Sequence, residues 1–442
     1  MIACGKLVRS TTRLALNLVA LLVAAGVALA QPASDARLRS AGIRSLTGRH
    51  LILLTDLASD PEIDKLPAIF DEAVAQWADY FGVDPGKIAD WQARAHLIGE
   101  RRRFDALDLM PASNDKFVNG ISFGSQLWLY DQPTPYYRRH LLLHEGTHAF
   151  MVSFLGGCGP GWYMEGTAEL LATHRLDERT GKLSLNIMPK SREEVPMLGR
   201  IKLIRDAVAA NRALTFLEVM QIDNRQQLGN ESYAWTWAAS KFLDAHPRYR
   251  DRFRLLSKHV LDPKFNAITR REYKADWAEL TAEWEAFVGA LDHGYDFERM
   301  AIDFSRGRPL AGQPARATIQ ADRGWQSSGM WLEAGKAYRV TASGRYQIAA
   351  DQSNGALRPW PCEPGGVTIE YHDGRPLGVL LGAIVGRKNS ADSSFAKPIA
   401  VGLGTTIESA ASGTLYLRVN DSAAALHDNR GTVAVTVALA TE

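Results

Sequence analysis

His144 and His148 enclose Glu145, Gly146 and Thr147. On a helix, positions i and i+4 share a face, so this spacing lets two imidazoles hold one metal ion while Glu145 reaches a water bound to it. Two more acids follow in the segment Trp162-Tyr163-Met164-Glu165-Gly166-Thr167-Ala168-Glu169. A catalytic zinc site takes three protein ligands and keeps one position for water. Glu165 can supply the third ligand from a second helix. Glu169, one turn further on, can accept a hydrogen bond from a ligand imidazole, and is also the rival ligand at a longer spacing. His140 lies on the same face as His144 and suits the surface or a place behind the ligands. His174 and His246 are reserve candidates for proton transfer. The bland alternative makes His144 and His148 satisfied core histidines and Glu165 a structural acid.

Apolar periodicity indicates the elements that must position these groups. Leu51–Thr55 and Ala95–Ile98 read as buried strands, Leu66–Phe81 as an amphipathic helix, and Ile121–Tyr130 as one further strand with Phe123, Leu127 and Leu129 on one face. Helices are expected at Tyr136–Phe154, Met164–His174, Ile201–Ala210, Tyr233–Ala245 and Glu272–Leu291. The fold class is therefore α+β for the first domain, 31–305. The Arg-, Pro-, Gly- and Ala-rich text at 306–317 suggests a linker, and short β-type runs from 318 to 442 suggest an all-β sandwich.

The length of 442 residues allows two or three domains. Basic residues up to Arg13, an apolar run from Leu14 to Ala28 and the small-residue site Ala28-Leu29-Ala30 form a secretory leader, 1–30, with cleavage before Gln31. A retained membrane anchor is the alternative, disfavoured by the cleavage site and the polar segment after it. Export to the periplasm or the extracellular space follows, with no stable membrane span after leader removal. Loss of Lys6, Arg9 and Arg13 takes the formal net charge from +2 to −1. This near-neutral balance gives no reason to expect nucleic acid as a partner. Cys4 leaves with the leader. An oxidising compartment permits, without establishing, a bridge between Cys158 and Cys362.

From about His50 to Phe253 the sequence resembles the gluzincin metallopeptidases, most closely the peptidase-MA-like branch, through His-Glu-x-x-His and the aromatic-x-x-Glu-Gly-x-Ala segment. The resemblance implies zinc held by His144, His148 and Glu165, with Glu145 as general base. It also implies that Tyr233, in Glu231-Ser232-Tyr233-Ala234-Trp235, hydrogen-bonds the oxyanion of the tetrahedral intermediate. An aromatic beside Trp235 and Trp237 could equally be core. The strand at 121–130 becomes, by the same resemblance, the edge that pairs with an extended peptide.

Near the C-terminus, Asn420-Asp421 is followed by Asp428-Asn429-Arg430-Gly431. Clustered Asp and Asn oxygens between two strands suit a hard cation such as calcium, although an Asp/Asn turn that merely caps strands has the same composition. The last 120 residues or so resemble the bacterial galactophilic calcium lectins. That likeness implies calcium on Asp421, Asp428 and Asn429, with Ala425 near a backbone-carbonyl position, and glycans as partners. The chain departs from the pattern in having Asp428 where the lectins have Asn, and in lacking their His-Pro-x-x-Gln loop.

These readings together give an exported zinc metallopeptidase acting on peptide or protein substrates, with a C-terminal lectin-like module. A secreted carbohydrate-binding protein on a non-catalytic peptidase-like scaffold is the alternative, and a zinc hydrolase with a non-peptide substrate is a third reading.

Overall fold

The computed structural model describes residues 35–111, 117–223, 229–351, 358–386 and 395–440. The expected leader, the expected cleavage site and Cys4 lie outside the described residues. The chain is of mixed helix and sheet, as the alternation of periods 2 and 3.6 indicates.

The first sheet joins β1 (Arg44–Thr47), β2 (Leu51–Thr55), β3 (Ala93–Ile98), β4 (Gly120–Phe123) and β5 (Gln126–Tyr130) in the order β1-β2-β3-β5-β4. The pairs β2/β3 and β3/β5 are parallel, whereas β1 and β4 run antiparallel to their neighbours. Alternate residues Leu51, Leu53, Ala95, Leu97, Leu127 and Leu129 point to one face. There they meet α1 (Leu66–Phe81) and α2 (Pro135–Leu155) through Phe70, Trp77, Leu142 and Phe150. The expected single strand at 121–130 is a hairpin. Gly124 takes a left-handed φ of 59° and reverses the chain, so Phe123 is exposed while Leu127 and Leu129 are buried. On this side of the sheet the edge is therefore β4, with β5 inside it.

Beyond α2 come α3 (Gly161–Ala172), α4 (Arg200–Ala209), α5 (Asn230–Ala245), α6 (Phe265–Glu272) and α7 (Trp277–Gly289). They enclose an aromatic core that includes Trp162, Tyr163, Trp235, Trp237, Phe242 and Trp284. The helix expected at 272–291 is divided between α6 and α7. Tyr273 buries its ring and donates its hydroxyl to the Tyr249 carbonyl at 3.1 Å, and the chain turns here before the next helix starts after Asp276.

The C-terminal part is a two-sheet sandwich. One sheet has the order 399–400, 380–385, 413–419, 326–332, 308–309, and the other has 404–408, 337–343, 432–439, 315–320. Val340, Leu415, Leu417, Val433, Val435 and Val437 face inward between them. The stretch 306–317 carries paired backbone. Arg308–Pro309 runs parallel to Met330–Trp331, and Ala315 already pairs with Val437. Helical and β parts share buried apolar contacts, with Ala282 and Ile302 packed among Trp325, Phe395 and Tyr416. Cys158 and Cys362 are both free.

One buried group sets a pH dependence. His96 on β3 stacks on Trp128 with ring centroids 5.2 Å apart and donates from Nδ1 to the Leu127 carbonyl at 3.1 Å. Burial pushes its pKa down from 6.5 to about 4. The folded chain keeps this ring neutral while the unfolded chain protonates it, so stability falls as pH drops from 6.5 towards 4. At 1.36 kcal/mol per unit, the loss reaches about 3 kcal/mol. Denaturant unfolding across this range should show a shallower pH slope for His96→Gln than for the natural chain.

Candidate metal centre

Helix α2 begins at Thr134, whose side chain accepts a hydrogen bond from the Tyr137 amide, with Pro135 in the first turn. Its middle is buried on all sides, including His140, His144, Glu145 and His148. Helix α3 lies against α2 and α5. A side chain at Gly166 would run into Ser240 Oγ and the Thr236 carbonyl of α5, so glycine permits the approach that brings Glu165 to the histidines.

Three donor atoms converge. His144 Nε2 is 3.2 Å from His148 Nε2 and 3.1 Å from Glu165 Oε2, and His148 Nε2 is 3.5 Å from Glu165 Oε2. The edge of a tetrahedron is roughly 1.63 times its centre-to-vertex length, so zinc bonds of 2.0–2.2 Å require donor separations of roughly 3.3–3.6 Å. The observed triangle fits, with small adjustments. Glu165 Oε2 is buried without a hydrogen-bond partner, and such an atom is costly unless a cation satisfies it.

The electrostatics agree. Burial works against ionising Glu165, yet the His148 and His144 rings hold its carboxyl down to about 2. Burial works against protonating His144, yet Glu165 and Glu169 push it up to about 9. Burial also opposes the charge on His148, which is nonetheless pushed up, chiefly by Glu165. A site that binds protons this strongly lacks positive charge, and a metal ion would displace those protons. Glu145, Glu165 and Glu169 bring three carboxylates to the cleft, and Arg200 is the arginine among its described lining residues. One divalent ion together with Arg200 would balance the three.

Glu169 stands behind the candidate ligands. Its Oε1 is 3.2 Å from His144 Nδ1, which leaves His144 Nε2 free for metal. Arg200 grips this carboxylate with both Nε and Nη2, at 2.9 and 3.0 Å. Burial opposes the charge on Glu169, but Arg200 and then His140 hold its carboxyl well below the usual range. His140 is buried, so the surface option is corrected. Its Nδ1 donates to the Ala172 carbonyl at 3.0 Å and its Nε2 lies 3.4 Å from Glu169 Oε2. Sequence reading missed Arg200. Its place at the start of a helix gave no sign that a guanidinium would be buried there.

Glu145 and Tyr233 line the same cleft of about 880 Å³. Glu145 Oε1 would be 2.9 Å from a Cβ at Gly120, so the edge strand β4 passes directly over the candidate base. Tyr233 on α5 has its ring centroid 6.0 Å from that of His144, and Arg200 stands 5.5 Å from its ring centre. Burial first, then the carboxylates of Glu165, Glu169 and Glu145, keep this phenol protonated. His174 and His246 do not line the cleft. His174 accepts from Arg139 at 3.2 Å, and His246 pairs with Glu283 at 3.0 Å.

No protein-family model matches the chain, and no curated protein matches it. Among solved structures, the one titled "EclA N-terminal domain; PllA-like lectin" aligns at 23% identity with a TM-score of 0.20, over 28% of this chain and 95% of that one.

The structure brings Asp421, Asp428 and Asn429 together beyond the strand Gly413–Val419. Burial pushes the Asp421 carboxyl up to about 6, the Asn429 side chain opposes this, and the nearby Asp428 adds to it. Asp421 is 3% exposed and Asn429 0%. Asn420 turns away and donates to the carbonyls of His372 and Pro376, both at 3.0 Å.

Proposed function

We propose that the chain is an exported zinc-dependent metallopeptidase. The observation that carries this reading is the triangle of His144 Nε2, His148 Nε2 and Glu165 Oε2 at 3.1–3.5 Å, within one cleft that also holds Glu145 and Tyr233. Zinc, when bound, supplies a Lewis acid that lowers the pKa of water towards about 7 and polarises a carbonyl.

The chain's own groups account for the rest. The Glu145 carboxylate accepts the proton of the attacking water and returns it to the leaving amine nitrogen. The Tyr233 hydroxyl, kept protonated by its surroundings, donates a hydrogen bond to the oxygen that becomes negative. Glu169 fixes the His144 tautomer, and Arg200 fixes Glu169. Strand β4 offers its free edge to an extended peptide above Glu145.

Digestion of a mixed peptide library by the zinc-loaded mature chain tests this reading. Cleavage that is lost on zinc removal and regained on its return is expected. No cleavage by a zinc-replete, folded chain would contradict it. Tyr233→Phe keeps the ring but removes the donor, so kcat should fall about 10²–10³-fold with a smaller change in KM. A raised KM with kcat unchanged would place the tyrosine in substrate binding instead.

A further inference from the structure

A second cleft, of about 780 Å³, opens where the helical part meets the β part, and it shares no lining residue with the histidine cleft. Lys241 lines it from α5 and is only 4% exposed. An ammonium group has three N–H donors. Two of them go to Asn186, to its backbone carbonyl at 2.8 Å and its Oδ1 at 3.0 Å, and Asn186 holds a left-handed φ of 55° there. Among the described residues the third donor has no acceptor. Asp244, one turn further along α5, is committed elsewhere: its Oδ1 accepts from Arg254 at 2.9 Å and its Oδ2 from Asn186 Nδ2.

The other acids on the cleft wall are matched by arginines as well. Asp296 accepts from Arg299 Nη1 at 2.9 Å, and Glu298 stands 3.5 Å from Arg250 Nη2. Lys190 is exposed and makes no ion pair among the described residues, so two ammonium groups, Lys190 and Lys241, stand beyond the matched pairs. His293 and His427 complete the titratable lining and add no negative charge. The surplus is felt at Lys241. Burial pushes its ammonium down to about 8, Asp244 opposes this, and the charges of Arg250 and Arg254 push it further down. Met188, Tyr295 and Phe297 supply an apolar side to the same cleft.

We propose that this cleft binds a small phosphate monoester, its anionic head on Lys190 and Lys241 and its organic body against Tyr295 and Phe297. Such a group carries a charge of roughly −1.5 to −2 at pH 7 and three acceptor oxygens. It therefore matches two ammonium groups and supplies the acceptor that the third Lys241 donor lacks, whereas a carboxylate brings a single charge. The cleft volume suits a small organic molecule. The site is independent of the zinc reading, since it uses none of the residues of the histidine cluster.

Titration of the zinc-replete mature chain with glycerol 3-phosphate at constant ionic strength tests the proposal, with calorimetry and amide hydrogen exchange as readouts and acetate and glycerol as controls. One glycerol 3-phosphate per chain is expected, with weaker binding of acetate and none of glycerol. Protection should increase at 186–190 and 241–254. Lys190→Ala and Lys241→Met should each raise the Kd about tenfold or more. His148→Ala should leave it unchanged, because the histidine cleft is a separate place. Absence of binding by the natural chain, or binding that both lysine variants retain in full, would overturn the site. Binding lost in folded His148→Ala would place the phosphate at the histidine cluster and overturn it too. If Lys241→Met fails to fold, Lys190→Ala and the exchange pattern of the natural chain still decide, since protection confined to other segments contradicts the proposal.

Discussion

Glu145→Gln should lower kcat about 10²–10⁴-fold while leaving zinc content and the melting temperature near those of the natural chain. The substitution keeps the size of the side chain and removes its basicity. Glu145 lies on the helix that carries His144 and His148, and a Cβ at Gly120 would meet its Oε1 at 2.9 Å, so an amide of the same shape can occupy the same place. Steady-state hydrolysis of a library-derived peptide, read beside metal content, separates loss of the base from loss of the site. A folded variant with full activity would remove Glu145 from the mechanism.

Arg200→Met should be the most damaging substitution behind the ligands. The guanidinium-bearing Arg200 and the carboxylate-bearing Glu169 are 6% and 2% exposed and joined by two hydrogen bonds. Removing one partner of such a pair leaves a buried charge uncompensated, at a cost of about 3–5 kcal/mol. Glu169 also orients His144, so zinc affinity should fall about 10–100-fold. Adding Glu169→Gln relieves the stranded charge. The double variant should recover part of the stability but not the zinc affinity, because a neutral amide at this position would not hold the His144 tautomer as firmly. Denaturant midpoints and chelator competition read the two effects separately. Unchanged zinc affinity in the single variant would reduce Arg200 to a structural partner of Glu169.

Much of this arrangement was legible from local spacing. The i, i+4 histidines and the amphipathic run Leu66–Phe81 carry their own periodicity, and that helix appears with the expected bounds. The approach of Glu165 to the two histidines was legible because Gly166 follows it in a recognisable segment. The hairpin at Gly124 was not, since alternation continues across a tight turn and only the left-handed backbone distinguishes it. Arg200 was hidden for a different reason: a buried arginine depends on a carboxylate 31 residues away, and nothing in its own neighbourhood announces that partner. Burial of Ala423 and Leu426 is likewise a consequence of how two parts of the chain meet. The Asp and Asn spacing suggested a cation but could not say that these two residues between them would pack into the helical core.

The central claim is that His144, His148 and Glu165 hold one catalytic zinc ion. Elemental analysis of the purified mature chain and of a folded His148→Ala variant tests it most directly. The account predicts about one zinc per natural chain and loss of that zinc in the variant. Zinc absent from both after remetallation, or retained equally by both, would contradict it.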